Sequence, residues 1–456
     1  MQEKRKRPWL QRQLRPERVM ALGFLCLIIL GGLLLALPFA SAAGESIGLG
    51  NGLFTATSAV CVTGLVTVDT GTTFSFFGQI VLLCLFQVGG LGFMIFATLI
   101  MAALGRRITL QDRMLIRESM NIATLSGLVR LTAWYGLLAA GIEAIGALLL
   151  ATRFVPLWGW SKGLWYSLWH AVSAFCNAGF DLFGSFGSLT GFADDPVVLL
   201  TVAALIILGG IGFAVMLDLL NHRFSFSELT LHTRIVLVMT GLLLLTGTLF
   251  YALAEWQNPL TLGQVDGAGS KLTNAFFQSV TMRTAGFNSV PLDGMHDASK
   301  LVSVLLMFVG ASSASTGGGV KVSTVAVLIL AVLSVLRGEE DVNVARRRLP
   351  LALIRRALAI VVFYLLILLS ATVALSLIEG DRYDLTDLLF EATSALATVG
   401  VSSVGTPNLK PASHFVLAPL MFIGRVGPLT MALALARWQG RSKTKLRYPE
   451  ETITIG

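Results

Sequence analysis

Long apolar runs alternate along the chain with shorter segments in which apolar, small and polar residues mix. Continuous apolarity predicts eight long helices, near residues 19–40, 77–104, 129–153, 197–218, 235–255, 301–336, 357–378 and 415–436. Each is long enough for a hydrocarbon layer of about 30 Å. The sixth run is interrupted: after LVSVLLMFV come GASSASTGGGVKVST, Gly310 to Thr324, before apolarity resumes. Gly, Ser and Thr are poor helix formers, and free backbone groups facing lipid cost several kcal/mol each. Something other than lipid must surround this stretch.

The mixed segments repeat. FTATSAVCVTGL (Phe54 to Leu65), WHAVSAFCNAGF (Trp169 to Phe180), FFQSVTMRTAGF (Phe276 to Phe287) and FEATSALATVGV (Phe390 to Val401) align without gaps. An aromatic opens each, and ten residues later stands Gly64, Gly179, Gly286 or Gly400. The glycines are 115, 107 and 114 residues apart, which makes a fourfold internal repeat. A second glycine motif follows each by 25, 30, 24 and 24 residues: GGLGF at Gly89, GGIGF at Gly209, the broken stretch at Gly310 and GRVGP at Gly424. Each unit is therefore long helix, short segment, long helix. The fold class expected is an all-α membrane protein of four such units in pseudo-fourfold arrangement, with eight transmembrane helices and four re-entrant pore loops.

The short segments are too short to span a bilayer and too apolar for surface loops, so a re-entrant helix followed by an extended strand fits them. Such a helix directs the negative end of its dipole toward the membrane centre. Four would focus negative potential on one point, where a cation is the natural occupant and strand carbonyls can replace its water. A glycine there keeps the ion path free of Cβ atoms. Helix-packing glycines are the plainer explanation, and a fourfold equivalent position weakens it.

Composition agrees with a polytopic membrane protein: of 456 residues, 55% are hydrophobic and 13% charged. The net charge of +8 is unevenly spread. Seven Lys and Arg lie in the N-terminal tail, five in 105–130, two in 221–234, six in 337–356 and five after Ala436, while the other connections together hold six. The positive-inside rule then places both termini in the cytoplasm. Scattered charges with little aromatic interleaving argue against nucleic acid. The first apolar run is longer than a signal-peptide core, and the repeat needs it as a helix. Cys26, Cys61, Cys84 and Cys176 all lie in apolar segments and suggest neither disulfides nor a metal site.

TSAVCVTGLVTVDT, SAFCNAGF, TMRTAGFN and TSALATVG resemble the four pore loops of the Trk/Ktr/HKT superfamily of cation transporters, most closely KtrB-type membrane subunits of bacterial potassium uptake systems. The resemblance covers about residues 20 to 440. It implies potassium translocation across the bacterial cytoplasmic (inner) membrane, since glycine at all four filter positions goes with potassium selectivity in that family. The implied potassium ligands are carbonyls of Val62 and Thr63, Asn177 and Ala178, Thr284 and Ala285, and Thr398 and Val399, beside Gly64, Gly179, Gly286 and Gly400. It also implies a homodimer and a KtrA-like cytosolic regulatory ring that binds nucleotide. This chain has no GxGxxG, and TGGGVKVS at Thr316 to Ser323 lacks the Gly-Lys pair of a phosphate loop, so no cofactor is expected here. Sodium as an activator is left open. The C-terminal YPEETITIG resembles the family's segment at the subunit interface.

The same resemblance implies that the third unit's loop is a gate, formed here by Gly310, Ala311, Ser312, Ser313, Ala314, Ser315, Thr316, Gly317, Gly318 and Gly319. Gly424 aligns with Gly310, so Arg425 is expected at the loop's depth; its five donors suit carbonyls without helical partners. Lys321 follows the loop and is the second gate partner. Arg283, at the end of the third short segment, needs an anion behind the filter, and Glu391 is the partner expected. Glu143 receives no role, and Asp218 and Glu255 lie near span ends, where charge is ordinary.

The division expected is a cytoplasmic basic tail 1–18, pore units at 19–104, 128–220, 232–336 (with the broken second helix) and 351–437, and a tail 438–456. A secondary symporter coupling sodium or proton to another solute is the alternative. An enzyme has little support, since the five histidines form no HExxH pattern.

Overall fold

The computed structural model describes residues 16–92, 128–339, 341–345 and 347–427. Residues 1–15 of the basic tail, the C-terminal tail and the second half of the run 77–104 lie outside these residues, as does the expected dimer segment.

Within them the chain is helical, with one two-stranded hairpin, β1 (Asn343–Val344) and β2 (Arg347–Arg348). The first unit contains α1 (Pro16–Leu35), α2 (Leu49–Val60) and α3 (Phe76–Leu91). The second contains α4 (Leu128–Phe175), turned at Gly159, then α5 (Pro196–Ile211) and α6 (Phe213–Asn221). The third contains α7 (Leu231–Ala254), α8 (Ala268–Thr281), α9 (Asp297–Phe308) and α10 (Val322–Leu336). The fourth contains α11 (Leu351–Glu379), α12 (Leu385–Leu396) and α13 (Pro411–Val426). Among the described residues three helical stretches, Leu131–Phe175, Leu231–Ala254 and Leu351–Arg382, are long and apolar enough by themselves to cross a bilayer.

The four short helices, α2, the second limb of α4, α8 and α12, form the centre. Ala56, Ala59, Ala174, Ala275, Ala392 and Ala395 on them are fully buried, whereas Leu137, Leu148, Leu249, Leu253, Leu366 and Leu377 on the long helices are exposed. A soluble protein would reverse this distribution; in lipid the exposed leucines are solvated and the buried small residues let helices approach.

One correction concerns the second helix of each unit. The apolar pattern predicts a break in the third unit alone, with 197–218 continuous. The structure ends α5 at Gly212 (φ +92°) and bends by 94° into α6. Likewise α3 stops before Gly92 (φ +89°) and α13 before Gly427 (φ +92°). These are the last glycines of GGLG, GGIG and GRVG. Apolarity continues across each, so hydropathy does not see a break that one left-handed residue makes.

The first glycine of the same motif has a packing role. A Cβ on Gly89, Gly209 or Gly424 would fall inside van der Waals contact with the carbonyl oxygen of Val60, Phe175 or Leu396, respectively. These are the same position in three short helices. Gly310 instead faces Gly318 and Gly319 of its own loop, with a Cβ there 2.9 Å from Gly319 Cα.

Buried polar ties hold the long helices of a unit together. Glu255, closing α7, accepts from the backbone N–H of His296 (3.1 Å), the residue that starts α9. Glu379, closing α11, accepts in the same way from Lys410 N–H (2.8 Å) at the start of α13, and from Ser413 Oγ (2.6 Å). Glu255 is therefore a buried hub, also bound by Thr261 and Asn258, and not an ordinary end-of-span charge. Lys300, just before the apolar run 301–336, lies on α9 and pairs at 2.8 Å with Asp387 of α12, joining units three and four.

Candidate functional site: a ring of four strands and the loop beneath it

After each short helix the backbone takes one unusual course. Val62, Asn177, Thr284 and Thr398 have φ of +49°, +56°, +69° and +52°, and two residues on Gly64, Gly179, Gly286 and Gly400 have +96°, +72°, +84° and +97°. A left-handed, non-glycine conformation costs on the order of 1–3 kcal/mol at β-branched or bulky residues, so the surroundings must over-determine it. They do, because the helix before each strand holds it down. Thr63, Ala178 and Val399 N–H donate at 2.8 Å to the carbonyls of Ser58, Ser173 and Ser394. The serine hydroxyls then accept from Gly64 N–H, Phe180 N–H and Gly400 N–H, each at 3.0 Å.

These three serines occupy one column of the repeat, and sequence reasoning missed them although the alignment displayed them. The third unit has Val280 in that column. There Thr281, one residue later, donates through Oγ1 to Phe287 O, and Ala285 N–H bonds Thr281 O at 3.1 Å.

The four strands close into a ring. A Cβ on Gly64 would lie 2.8 Å from Ala178 O, one on Gly179 2.7 Å from Gly286 Cα and 2.9 Å from Ala285 O, and one on Gly286 2.8 Å from Val399 O. On Gly400 it would stand 2.9 Å from Gly64 Cα and against Thr63 O, which completes the circuit. The carbonyls of Thr63, Ala178, Ala285 and Val399 thus stand beside glycines of neighbouring units around one axis. A left-handed residue at every second position turns successive carbonyls away from the alternation of a plain strand, which is how one strand can offer several oxygens to one ion path.

On one side the ring opens into a cavity of about 470 Å³, lined by Asp69, Asp181, Asp293, Asn288, Ser402 and the four glycines among others. Asp181 is half-buried there; burial and then the neighbouring Asp69 push its carboxyl up to about 7, against a backbone hydrogen bond from Phe183.

On the other side lies the loop between α9 and α10. Gly317 and Gly318 sit so close beneath the ring that a Cβ on either would strike Thr284 Oγ1 or Thr398 Oγ1. Ser312 N–H and Thr316 N–H donate to Gly210 O (2.9 Å) and Gly209 O (3.2 Å), the last turn of α5. Thr316 Oγ1 donates to Phe175 O at 3.1 Å. Arg425 Nη1 donates to Thr316 O, and its Nη2 to Gly89 O and to Gly90 O (3.0 Å). Lys321 Nζ donates to Gly317 O at 2.7 Å. Arg425 therefore joins units four, three and one, and its bonds to α3 had no signal in the sequence, since backbone carbonyls carry no residue identity. Between ring and loop, Asn177 Oδ1 and Thr398 Oγ1 are buried without a protein partner among the described residues.

Arg283 and Glu391 are not brought together. Arg283 Nη2 donates to Thr240 Oγ1 (3.4 Å) toward α7, whereas Glu391 accepts from Ser402 in the strand of its own unit. Position on equivalent short segments does not decide side-chain direction, and each of the two finds its partner within its own unit. The carboxylates of α12 instead hold the residues just after the fourth glycine: Glu391 takes Ser402, and Asp387 takes Ser403 Oγ at 2.8 Å. Sequence reasoning read neither contact.

Residues 33–444 match the family model described as TrkH, cation transport protein. The chain belongs to the TrkH family of cation transport proteins. It is 41% identical over 441 residues to Ktr system potassium uptake protein B of Bacillus subtilis (strain 168), covering 97% of each chain. To the protein of the same name from Vibrio alginolyticus it is 42% identical over 440 residues, covering 96% of this chain and 94% of that one. To Potassium/sodium uptake protein NtpJ of Enterococcus hirae it is 38% identical, covering 98% of each. The crystal structure of the potassium transporter TrkH from Vibrio parahaemolyticus superposes with a TM-score of 0.72 over 95% of this chain and 88% of that one, at 17% identity. That likeness establishes the fold. As a TrkH-family chain, this is a multi-pass membrane transporter and not an enzyme.

Proposed function

We propose that the chain conducts potassium ions through the ring of four strands, with the α9–α10 loop as the gate. The observation that carries this reading is the ring itself: four glycines at positive φ whose missing Cβ atoms leave room only for neighbouring carbonyls. Glycine at all four positions, and relatives named for potassium uptake, favour potassium. The carbonyls of Val62, Thr63, Asn177, Ala178, Thr284, Ala285, Thr398 and Val399 are the ligands in this reading, and Asn177 Oδ1 and Thr398 Oγ1 meet the ion's remaining water below them. The loop obstructs the path beneath Thr284 and Thr398; Arg425 and Lys321 hold it there, and withdrawing it opens the path. Flux runs down the electrochemical gradient.

In the same reading the protein sits in a bacterial inner membrane with both termini cytoplasmic, on the distribution of Lys and Arg, and works as a homodimer. A cytosolic nucleotide-binding ring moves the loop. The relatives named as part of a Ktr system support a multi-component assembly.

The test is uptake by cells lacking their own potassium transporters, expressing the full chain with and without a candidate regulator. Growth on low potassium is the expected result; no rescue by protein shown to be in the membrane would sink the reading. Gly286→Ser adds a Cβ inside the ring and should reduce potassium over sodium preference about tenfold, roughly the 1.4 kcal/mol that a misplaced carbonyl is worth. Unchanged preference would show that the filter lies elsewhere.

A further inference from the structure

Glu143 lies within the first limb of α4, 6% exposed, and neither filter nor gate uses it. A carboxylate at membrane depth is costly enough to require a reason. Both its oxygens accept from Gln87 Nε2, at 3.0 and 3.1 Å. Gln87 Oε1 in turn accepts from Cys176 Sγ at 3.0 Å. The amide cannot be reversed, because its oxygen would then face the carboxylate.

Gln87 belongs to the last turn of α3. Two and three residues further along that helix are Gly89 and Gly90, whose carbonyls receive Arg425. Gly90 is seated directly on Cys176: a Cβ there would lie 2.8 Å from its Sγ. Among the described residues Arg425 has no carboxylate partner of its own; its guanidinium meets only carbonyls. One helical turn of α3 thus carries the anion of unit two on one side and the cation of unit four on the other.

We infer that Glu143 is a positioning residue for the gate: through Gln87 it fixes the carbonyls of Gly89 and Gly90 that hold Arg425. This rests on the reading of the α9–α10 loop as a gate latched by Arg425. Glu143 touches neither ion nor loop, so its effect is on the closed population alone. A packing role would lower the amount of folded protein and leave gating intact; a positioning role changes gating in folded protein and couples to Arg425.

The test is rubidium influx into liposomes containing the purified full chain, with thermal stability measured on the same samples. Arg425→Ala reports on the gate reading itself. Glu143→Gln keeps the size and removes the charge; it should raise influx several-fold at unchanged rubidium over sodium preference. Combined with Arg425→Ala it should add nothing further, because both act on one latch. The exchange Glu143→Gln with Gln87→Glu restores the charge and leaves an acceptor for the transplanted amide and another for the Cys176 thiol, and should return influx to the parental level. If Glu143→Gln does not fold, Gln87→Leu cuts the same link from the other end and should raise influx likewise. Raised influx in Arg425→Ala with parental or lower influx in folded Glu143→Gln or Gln87→Leu overturns the role of Glu143 and leaves the gate standing. Additive effects, or an exchange that stays leaky, overturn it too. No rise in Arg425→Ala removes the gate reading, and this inference with it.

Discussion

The second and third units begin their second helices alike and part company at one glycine. In the second unit Gly209 lies beneath the carbonyl of Phe175, the helix turns by 94° at Gly212, and a new helix starts at once. In the third, Gly310 packs on Gly318 of its own loop, and the chain crosses beneath Thr284 and Thr398 before α10 begins. All four units interrupt or end this helix at the same motif. The break is therefore common property. What distinguishes the third unit is that its glycine motif is expanded by small polar residues, which take the chain toward the axis where carbonyls of α5 and donors of Arg425 and Lys321 can receive it. Four equivalent glycines thus divide into three that pack against a short helix and one that opens a loop.

That contrast can be broken most severely at Gly209→Ala. The added methyl overlaps a backbone carbonyl that cannot move without the strand that follows it, so about 3 kcal/mol or more of stability should be lost. Thermal unfolding in detergent checks it. Gly310→Ala, which meets only loop backbone, should change regulation of flux more than melting temperature; equal destabilisation at both positions would erase the distinction drawn here. Next in size is Arg425→Ala. Losing one charged bond to the loop and two to α3 removes at least about 1.5 kcal/mol from the closed state, about tenfold in the open population. Ion flux from reconstituted protein reads it, and lower flux from well-folded protein would contradict the latch.

Ser394→Ala leaves Gly400 N–H without its partner. About 1 kcal/mol is at stake, a roughly fivefold loss of selectivity measured from reversal potentials, whereas Val280→Ser in the third unit, where Thr281 already acts, should change little. The smallest effect is electrostatic. Asp181, held near pH 7 by burial and Asp69, is protonated below that value and negative above it. Influx at low external cation should rise about twofold, a Coulomb gain of a few tenths of a kcal/mol, as pH passes from 6 to 8. Asp181→Asn should flatten that rise.

The repeat was legible because four short segments share spacing and residue type, and the ring glycines, the serine column and the expanded loop were all written in that alignment. The breaks at Gly92, Gly212 and Gly427 were not, since a backbone angle leaves no mark on hydropathy. Charge was read less well than shape. Arg425 could be placed at the loop's depth from its neighbour Gly424. Arg283 and Glu391, also placed by the repeat, do not meet; each bonds a hydroxyl of its own unit, Thr240 and Ser402.

By itself, then, the order of residues determined a membrane protein of four like units with a glycine at each centre and one lengthened loop. Periodicity and composition suffice for that, because lipid demands apolar length and an ion path demands the absence of side chains. Only the tertiary structure decided which buried charge meets which partner: Lys300 with Asp387, Glu379 with the start of α13, Glu143 with Gln87, Arg425 with carbonyls of two other units. Those choices depend on side-chain direction and on the register between helices more than 30 residues apart. An amide, a carbonyl or a carboxylate can satisfy a buried donor equally well, and only proximity selects among them.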